Sequence, residues 1–309
     1  MTENELNKEE LEELLKQKEE NLKELEKFGK NSNFIKELSD IALIQLQLES
    51  YSDSEKNYLI CLKHFEKQKD RLGQASVYGL LGTLHFKRKA FQQSLEFYKK
   101  AYNIYDELMQ IPEKIECLKW IGINLIKLNQ LDEACDVFLN CSAICSDKGD
   151  IYSLLDCLGN LIYIYEKTGQ LDVVFELYKK TLKAFKEIKD SKGIITSYFN
   201  LGILKKKIED LRGALLYFKK GTNIAIESNY VELIIKGLGY TGEALFYLGE
   251  VREAKTQFIK ALHLSEKINA ENAMVQLKIL LQSLGLGNNQ ILDELRRYKE
   301  SKNKELRKF

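Results

Sequence analysis

The 309 residues carry 47 Lys plus Arg against 46 Asp plus Glu, a near-zero balance that argues against bulk steering to nucleic acid or to an anionic membrane surface. A single proline and six cysteines in a chain of this length fit a nearly all-helical protein with reduced thiols and an ample core, not a disulfide framework. No stretch approaches the ~20 uncharged apolar residues of a membrane span, and the opening MTENELNKEE has neither the basic nor the apolar region of a secretory signal, so a soluble, cytoplasmic protein is expected.

Residues 1–34 are rich in Glu and Lys and hold one apolar stripe, Leu11, Leu15, Leu22 and Leu25, which predicts a capping helix with one solvated face. From 35 to 286 the chain repeats itself. Tyr51, Phe91, Leu131, Leu171, Leu211 and Val251 recur at a spacing of 40. Three residues on stand Ser54, Ser94, Ala134, Val174, Ala214 and Ala254, and seven on an aromatic: Tyr58, Tyr98, Phe138, Tyr178, Phe218 and Phe258. Fixed-period self-similarity means that each unit is one supersecondary element that buries its apolar face only against its neighbours. In the unit beginning near Ile115, residues 114–127 predict a first helix, 128–130 a turn and 131–147 a second helix. Leu118, Ile121, Gly122 and Leu125 make one face of the first helix, and Leu131, Ala134, Phe138, Cys141 and Ile144 the facing stripe of the second.

Gly82, Gly122, Gly202 and Gly242 recur at one point on the first helices, where glycine costs about 1 kcal/mol of helix propensity and so requires a close contact. Six full repeats and the first helix of a seventh, Met274 to Leu286, fill this region, and the charged segment 287–309 reads as a C-terminal capping helix. The expected fold is all-α: a right-handed superhelical solenoid of antiparallel hairpins with about 15 helices, counted as one body.

The Leu-Gly pair in Ser197-Tyr-Phe-Asn-Leu-Gly-Ile, the turn glycines Gly169 and Gly249, and Ala134, Ala214 and Ala254 each followed four residues later by an aromatic resemble the tetratricopeptide repeat (TPR). The resemblance covers roughly residues 35–300. The period of 40 and the missing terminal proline depart from the 34-residue form, while the linkers Asp70-Arg-Leu-Gly73, Lys148-Gly-Asp150 and Asp190-Ser-Lys-Gly193 resemble those of the longer-repeat subgroup that includes kinesin light chains and Rap-type peptide receptors. That resemblance implies protein or peptide binding. It also implies that first-helix asparagines such as Asn124, Asn160 and Asn200 bond a ligand backbone. The chaperone-binding version of the family clamps a carboxylate with Lys and Asn, and Ser39 with Leu43, Gly79 with Thr83 and Gly159 with Tyr163 do not supply those donors, so no chaperone-tail clamp is expected.

In a stack of such hairpins the first helices line the concave wall, and the columns that avoid the hairpin core face the groove. Ser39, Gly79, Lys119, Gly159, Phe199 and Gly239 form one column; Leu43, Thr83, Ile123, Tyr163, Ile203 and Glu243 the next. Leu46, Phe86, Ile126, Glu166, Lys206 and Phe246 follow, beside Gln47, Lys87, Lys127, Lys167, Lys207 and Tyr247. The candidate peptide-binding residues are therefore Phe86, Lys87, Lys119, Ile123, Lys127, Tyr163, Lys167, Phe199, Lys207, Phe246 and Tyr247. Aromatic anchors of this kind dominate many interfaces, and the lysine row would read an acidic peptide, although a lysine in the last helical turn is favoured by the macrodipole in any protein.

No constellation of an enzyme, metal or cofactor site stands out. Cys117, Cys135, Cys141, Cys145 and Cys157 lack zinc-site spacing and fall in different columns, so they read as small core residues. His64, His85 and His263 lie in separate repeats, and there is no phosphate loop or nucleophile elbow. Trp120 reads as packing toward a neighbouring repeat. A non-catalytic scaffold that binds a partner peptide is the expected function, with a Rap-like peptide-sensing regulator or a structural assembly subunit as alternatives. Against the sensor, Rap-like proteins carry an extra N-terminal helical bundle, for which 1–34 supply about one helix.

Overall fold

The computed structural model describes residues 7–306, and among these the backbone is helical throughout, with no strand. The fifteen helices are α1 (Lys8–Glu26), α2 (Ser32–Gln47), α3 (Tyr51–Gln68), α4 (Arg71–Lys87), α5 (Phe91–Glu107), α6 (Ile111–Lys127), α7 (Leu131–Lys148), α8 (Ile151–Lys167), α9 (Leu171–Glu187), α10 (Ser191–Lys207), α11 (Leu211–Glu227), α12 (Val231–Tyr247), α13 (Val251–Lys267), α14 (Glu271–Ser283) and α15 (Asn288–Leu306). The six residues that recur at a spacing of 40 are the first residues of α3, α5, α7, α9, α11 and α13. Two compact units share the chain, one ending at Ile164 and the other starting at Tyr165. The division falls within α8.

The helices begin every 20 residues from Tyr51 to Glu271, and the turns explain the regularity. Glu49, Lys69, Lys89, Met109, Asn129, Gly149, Gly169, Lys189, Glu209, Asn229, Gly249 and Asn269 all have φ between 54° and 82°. The next residue in each case donates its N–H to the carbonyl five back, as Ala90 does to His85, Asp150 to Cys145 and Asp210 to Lys205. This is a Schellman ending, which satisfies a carbonyl orphaned at the helix C-terminus. Asp70, Asp150 and Asp210 then accept from the N–H three residues on at 2.9, 3.1 and 2.8 Å, starting α4, α8 and α11.

Most of these left-handed positions are not glycine, and the left-handed region costs an L-residue about 1–2 kcal/mol. Met109 sits there with φ 55°, its side chain 77% exposed. Met109→Gly is therefore expected to stabilise the protein by about 0.5–1 kcal/mol after glycine's greater unfolded freedom is subtracted. A thermal melt reads the gain, and a lowered midpoint would show that Met109 has a packing role.

Within each unit the hairpins interlock small against large. Ser54, Ser94, Ala134, Ala214 and Ala254 have no exposed surface, and Ser54 and Ser94 donate their hydroxyls to the carbonyls of Ala42 and Gly82 at 2.6 and 2.8 Å. A Cβ added to Gly82 would lie 2.8 Å from the ring of Tyr98; on Gly122, Gly202 and Gly242 it would lie 2.5 Å from Phe138, Phe218 and Phe258. These glycines let the following aromatic lie flat against helix backbone. In α7 the buried face is Ala134, Phe138, Cys141 and Cys145, so Cys145 takes the place expected of Ile144, which is only half-buried.

α1 buries no residue fully. Its stripe of Leu11, Leu15, Leu22 and Leu25 is half-buried, with Leu22 and Leu25 packed on the cluster of Phe34, Ile35, Leu38 and Tyr58. Lys18 ties it down, reaching Asp40 at 2.8 Å and Glu37 at 3.0 Å. In the second unit α15 sends Ile291 and Leu295 into the core beside Leu277 and Leu281 of α14.

Candidate peptide-binding surface

Two columns of glycine run along the first helices, and they differ in what surrounds them. Gly82, Gly122, Gly202 and Gly242 are pressed against aromatic rings, whereas a Cβ on Gly79, Gly159 or Gly239 would meet nothing within 4 Å. The second set has helical φ and no contact that requires it, so each position gives up about 1 kcal/mol of helix propensity without a packing reason. Each marks a patch of bare helix backbone, on α4 and α8 in the first unit and on α12 in the second.

In the second unit Gly239 lies in a groove between α12 and α14. Ile235, Tyr240, Leu277 and Leu280 form its apolar floor, and Glu232, Lys236, Glu243 and Gln276 its polar edges. A second recess beside it is lined by Lys206, Glu209, Leu211 and Tyr247. Tyr247 is 61% exposed, Lys206 lies 5.8 Å from its ring centroid and 2.7 Å from Glu243, and Phe246 packs half-buried at its side, 5.7 Å between centroids.

Other candidates divide by environment. Lys87, Lys127, Lys167 and Lys207 are exposed, and each is the last residue of its helix, where positive charge meets the negative end of the helix dipole. Tyr163 is exposed and Ile123 half-buried. Phe86 lies half-buried between Phe91 and Trp120, at 5.5 and 5.0 Å. Trp120 stacks on Tyr98 at 5.7 Å with planes 4° apart, so it does pack onto the preceding hairpin. Lys119 is not a free cation: it bridges Asp156 at 2.9 Å and Glu116 at 3.0 Å. Burial works against its charge, yet the bonds to Asp156 and Glu116 outweigh that and hold its pKa above the ordinary lysine value.

Phe199 corrects the expectation that its column faces the groove. It is 2% exposed and belongs to the core of the second unit. Its ring lies 2.6 Å from where a Cβ on Gly221 would stand and 2.8 Å from one on Gly237, and it meets Tyr240 edge-on at 5.5 Å. The sequence did hold a signal. Positions 61, 101, 141, 181, 221 and 261 share a column, as do 77, 117, 157, 197, 237 and 277, and glycine occurs in each only at 221 and 237. Asn124 also leaves the ligand set: it is fully buried and donates its amide to the Trp120 carbonyl at 2.8 Å.

The cysteine columns are different, as expected, but two of them face each other across α7 and α8. Cys141 and Cys157 meet there, with Cys145 one turn along α7, and the three sulfurs lie within 4.8 Å of one another. Cys141 is pushed up in pKa first by its hydrogen bond with Cys157 and then by burial. Burial pushes Cys145, and separately Cys117, up to about 12. None of the six cysteines is in a disulfide.

Paired helices of mostly 17 residues, interlocked by glycine and aromatic at a fixed period and lined by an open first-helix wall, define a helical-hairpin repeat protein. The tetratricopeptide repeat family matches residues 37–107, and the helical hairpins of the rest of the chain are tetratricopeptide-like in fold, here with a 40-residue unit. It is 29% identical over 133 residues to Regulatory protein RapD of Bacillus subtilis (strain 168), covering 43% of this chain and 38% of RapD. It is 20% identical over 220 residues to TPR repeat-containing protein MJ1428 of Methanocaldococcus jannaschii, covering 69% of this chain and 36% of that protein. The matches therefore span well under half of either relative. Among solved structures, apo RapI superposes with a TM-score of 0.66 at 19% identity, over 94% of this chain and 82% of RapI. Aspartyl phosphate phosphatase F from Bacillus subtilis gives 0.55 at 14% identity, over 86% of this chain and 74% of that one. At these identities the likeness is one of fold. No helix among the described residues is long and apolar enough to cross a membrane.

Proposed function

We propose that this chain is a non-catalytic adaptor that binds a segment of a partner protein along its first-helix wall, with α1 and α15 capping the repeats; the outermost residues of the expected caps, 1–6 and 307–309, lie outside the described residues. The observation that carries this reading is the open glycine column. Glycine at Gly79, Gly159 and Gly239 has no internal contact to serve, and its absent side chain lets a ligand approach the helix closely. Ile235, Tyr240, Leu277 and Tyr247 would hold apolar side chains of the segment, and Tyr163 and Ile123 would do so in the first unit. Lys87, Lys127, Lys167 and Lys207 would favour acidic residues beside those anchors. Six cysteines outside any disulfide fit a reducing, cytoplasmic setting.

The test pairs stability with binding. Gly239→Ala should stabilise the protein by about 1 kcal/mol, since it gains helix propensity in open space. Gly239→Leu should fold and yet fail to bind segments selected from a displayed peptide library by the unsubstituted protein. Leu216→Ser on α11, outside the groove and 53% exposed in the native protein, should bind them normally. Equal binding by Gly239→Leu and Leu216→Ser would remove the groove from the proposal.

A second reading, a peptide-sensing regulator, draws support from the match to Regulatory protein RapD. It requires the protein to change dimensions on ligand binding. Small-angle scattering with the selected peptide separates the two, because an unchanged profile at saturation fits the adaptor and rejects the sensor.

A further inference from the structure

We propose that Cys141, Cys145 and Cys157 form a three-thiol site for a thiophilic trivalent ion, with arsenite as the ligand its chemistry fits. The three side chains come from two helices of the first unit, are fully buried, and hold their sulfurs within 4.8 Å of one another. Trivalent arsenic keeps a lone pair and is pyramidal, so with bonds of about 2.3 Å its three sulfurs must stand roughly 3.5 Å apart, and the thiols must close in by up to about 1.3 Å. Sulfur ligands select soft ions. No fourth histidine, cysteine or carboxylate joins the group among the described residues, which disfavours the tetrahedral centre that structural zinc prefers.

Charge narrows the choice further. Three thiolates leave a net charge of −1 around zinc(II) and −2 around copper(I), and a buried charge without a partner is costly. Lys119, the cation whose field reaches Cys141, is already held between Asp156 and Glu116. Arsenous acid avoids the difficulty. Each of its three As–O bonds breaks as an As–S bond forms, and each thiol proton leaves on the departing hydroxide as water. Arsenic stays trivalent, nothing is oxidised or reduced, and both the reactants and the tris-thiolate product are neutral. Because the sulfurs are sealed between α7 and α8, uptake requires that seam to open locally, and arsenous acid is small and uncharged enough to enter.

The full chain, reduced and freed of reductant, should be incubated with sodium arsenite and, in parallel, with zinc(II) and copper(I), then desalted and measured for bound element and X-ray absorption. The expected result is one arsenic per chain with three sulfur neighbours, lost in Cys157→Ala and in Cys145→Ala, and retained in Cys135→Ala, with thermal melts confirming that each variant folds. Substoichiometric arsenic, a centre with fewer than three sulfurs, or undiminished binding in folded Cys157→Ala and Cys145→Ala overturns the proposal. Tighter retention of zinc or copper than of arsenic also overturns it. The absorption spectrum of the unsubstituted chain decides the matter even where a variant does not fold.

Discussion

Gly122→Leu is expected to destabilise the protein by about 3 kcal/mol or more, through overpacking. A Cβ alone would stand 2.5 Å from Cε2 and Cζ of Phe138, and that ring has no exposed surface into which to retreat. Phe138 is held on its own helix between Ala134 and Cys141, so relief would come only by moving α7 away from α6. The same substitution class in the open column gives the opposite sign, since Gly159→Ala meets nothing within 4 Å and gains about 1 kcal/mol of helix propensity. Chemical denaturation of the two variants checks the pair. A Gly122→Leu protein as stable as the parent would show that the interlock of glycine and aromatic does not hold the hairpin together.

Phe199→Ala should cost about 3–5 kcal/mol, the range for emptying a buried aromatic site. The loss includes the edge-on contact with Tyr240, and the surrounding backbone cannot collapse into the space because α11 and α12 are fixed by Phe218 and Leu238, both buried. The pairing with glycine makes the prediction specific. Gly221→Ala alone should destabilise, because its Cβ would meet the Phe199 ring at 2.6 Å; in the Phe199→Ala background the same change should become neutral or favourable. That reversal is a double-mutant coupling of the kind expected for residues in direct contact, and equilibrium unfolding of the four proteins measures it. Additive effects would remove the ring from between the glycines.

The repeat, its helical hairpins and the small-against-aromatic seam were legible in the sequence because they rest on side-chain volume recurring at a constant interval. Gly122 could be assigned a packing role from helix propensity alone, before its partner ring was known. The turns were far less legible. Residues 128–130, the linker at Gly149 and the turn glycines Gly169 and Gly249 could be read, whereas Lys69, Lys89 and Met109 adopt the same left-handed φ without the residue type that usually signals it. Column membership also says which residues are equivalent, not which way each points. Phe199 shares a column with Gly79 and Gly239 but turns into the gap left by Gly221 and Gly237. The cysteine trio was hidden for a related reason: residues in separate columns come together when those columns oppose one another across a seam, and spacing along the chain does not record that.

The 20-residue rhythm of left-handed turns constrains how such a chain can change length. One residue inserted inside α7 ahead of Phe138 advances everything beyond it by 1.5 Å and about 100°, which would swing Phe138 off Gly122. A loop ordinarily absorbs an insertion, but here each connection from α2 to α14 is a fixed left-handed ending with no slack. Growth and shrinkage should therefore occur as whole hairpins, so that the length of surface offered to a partner changes in steps.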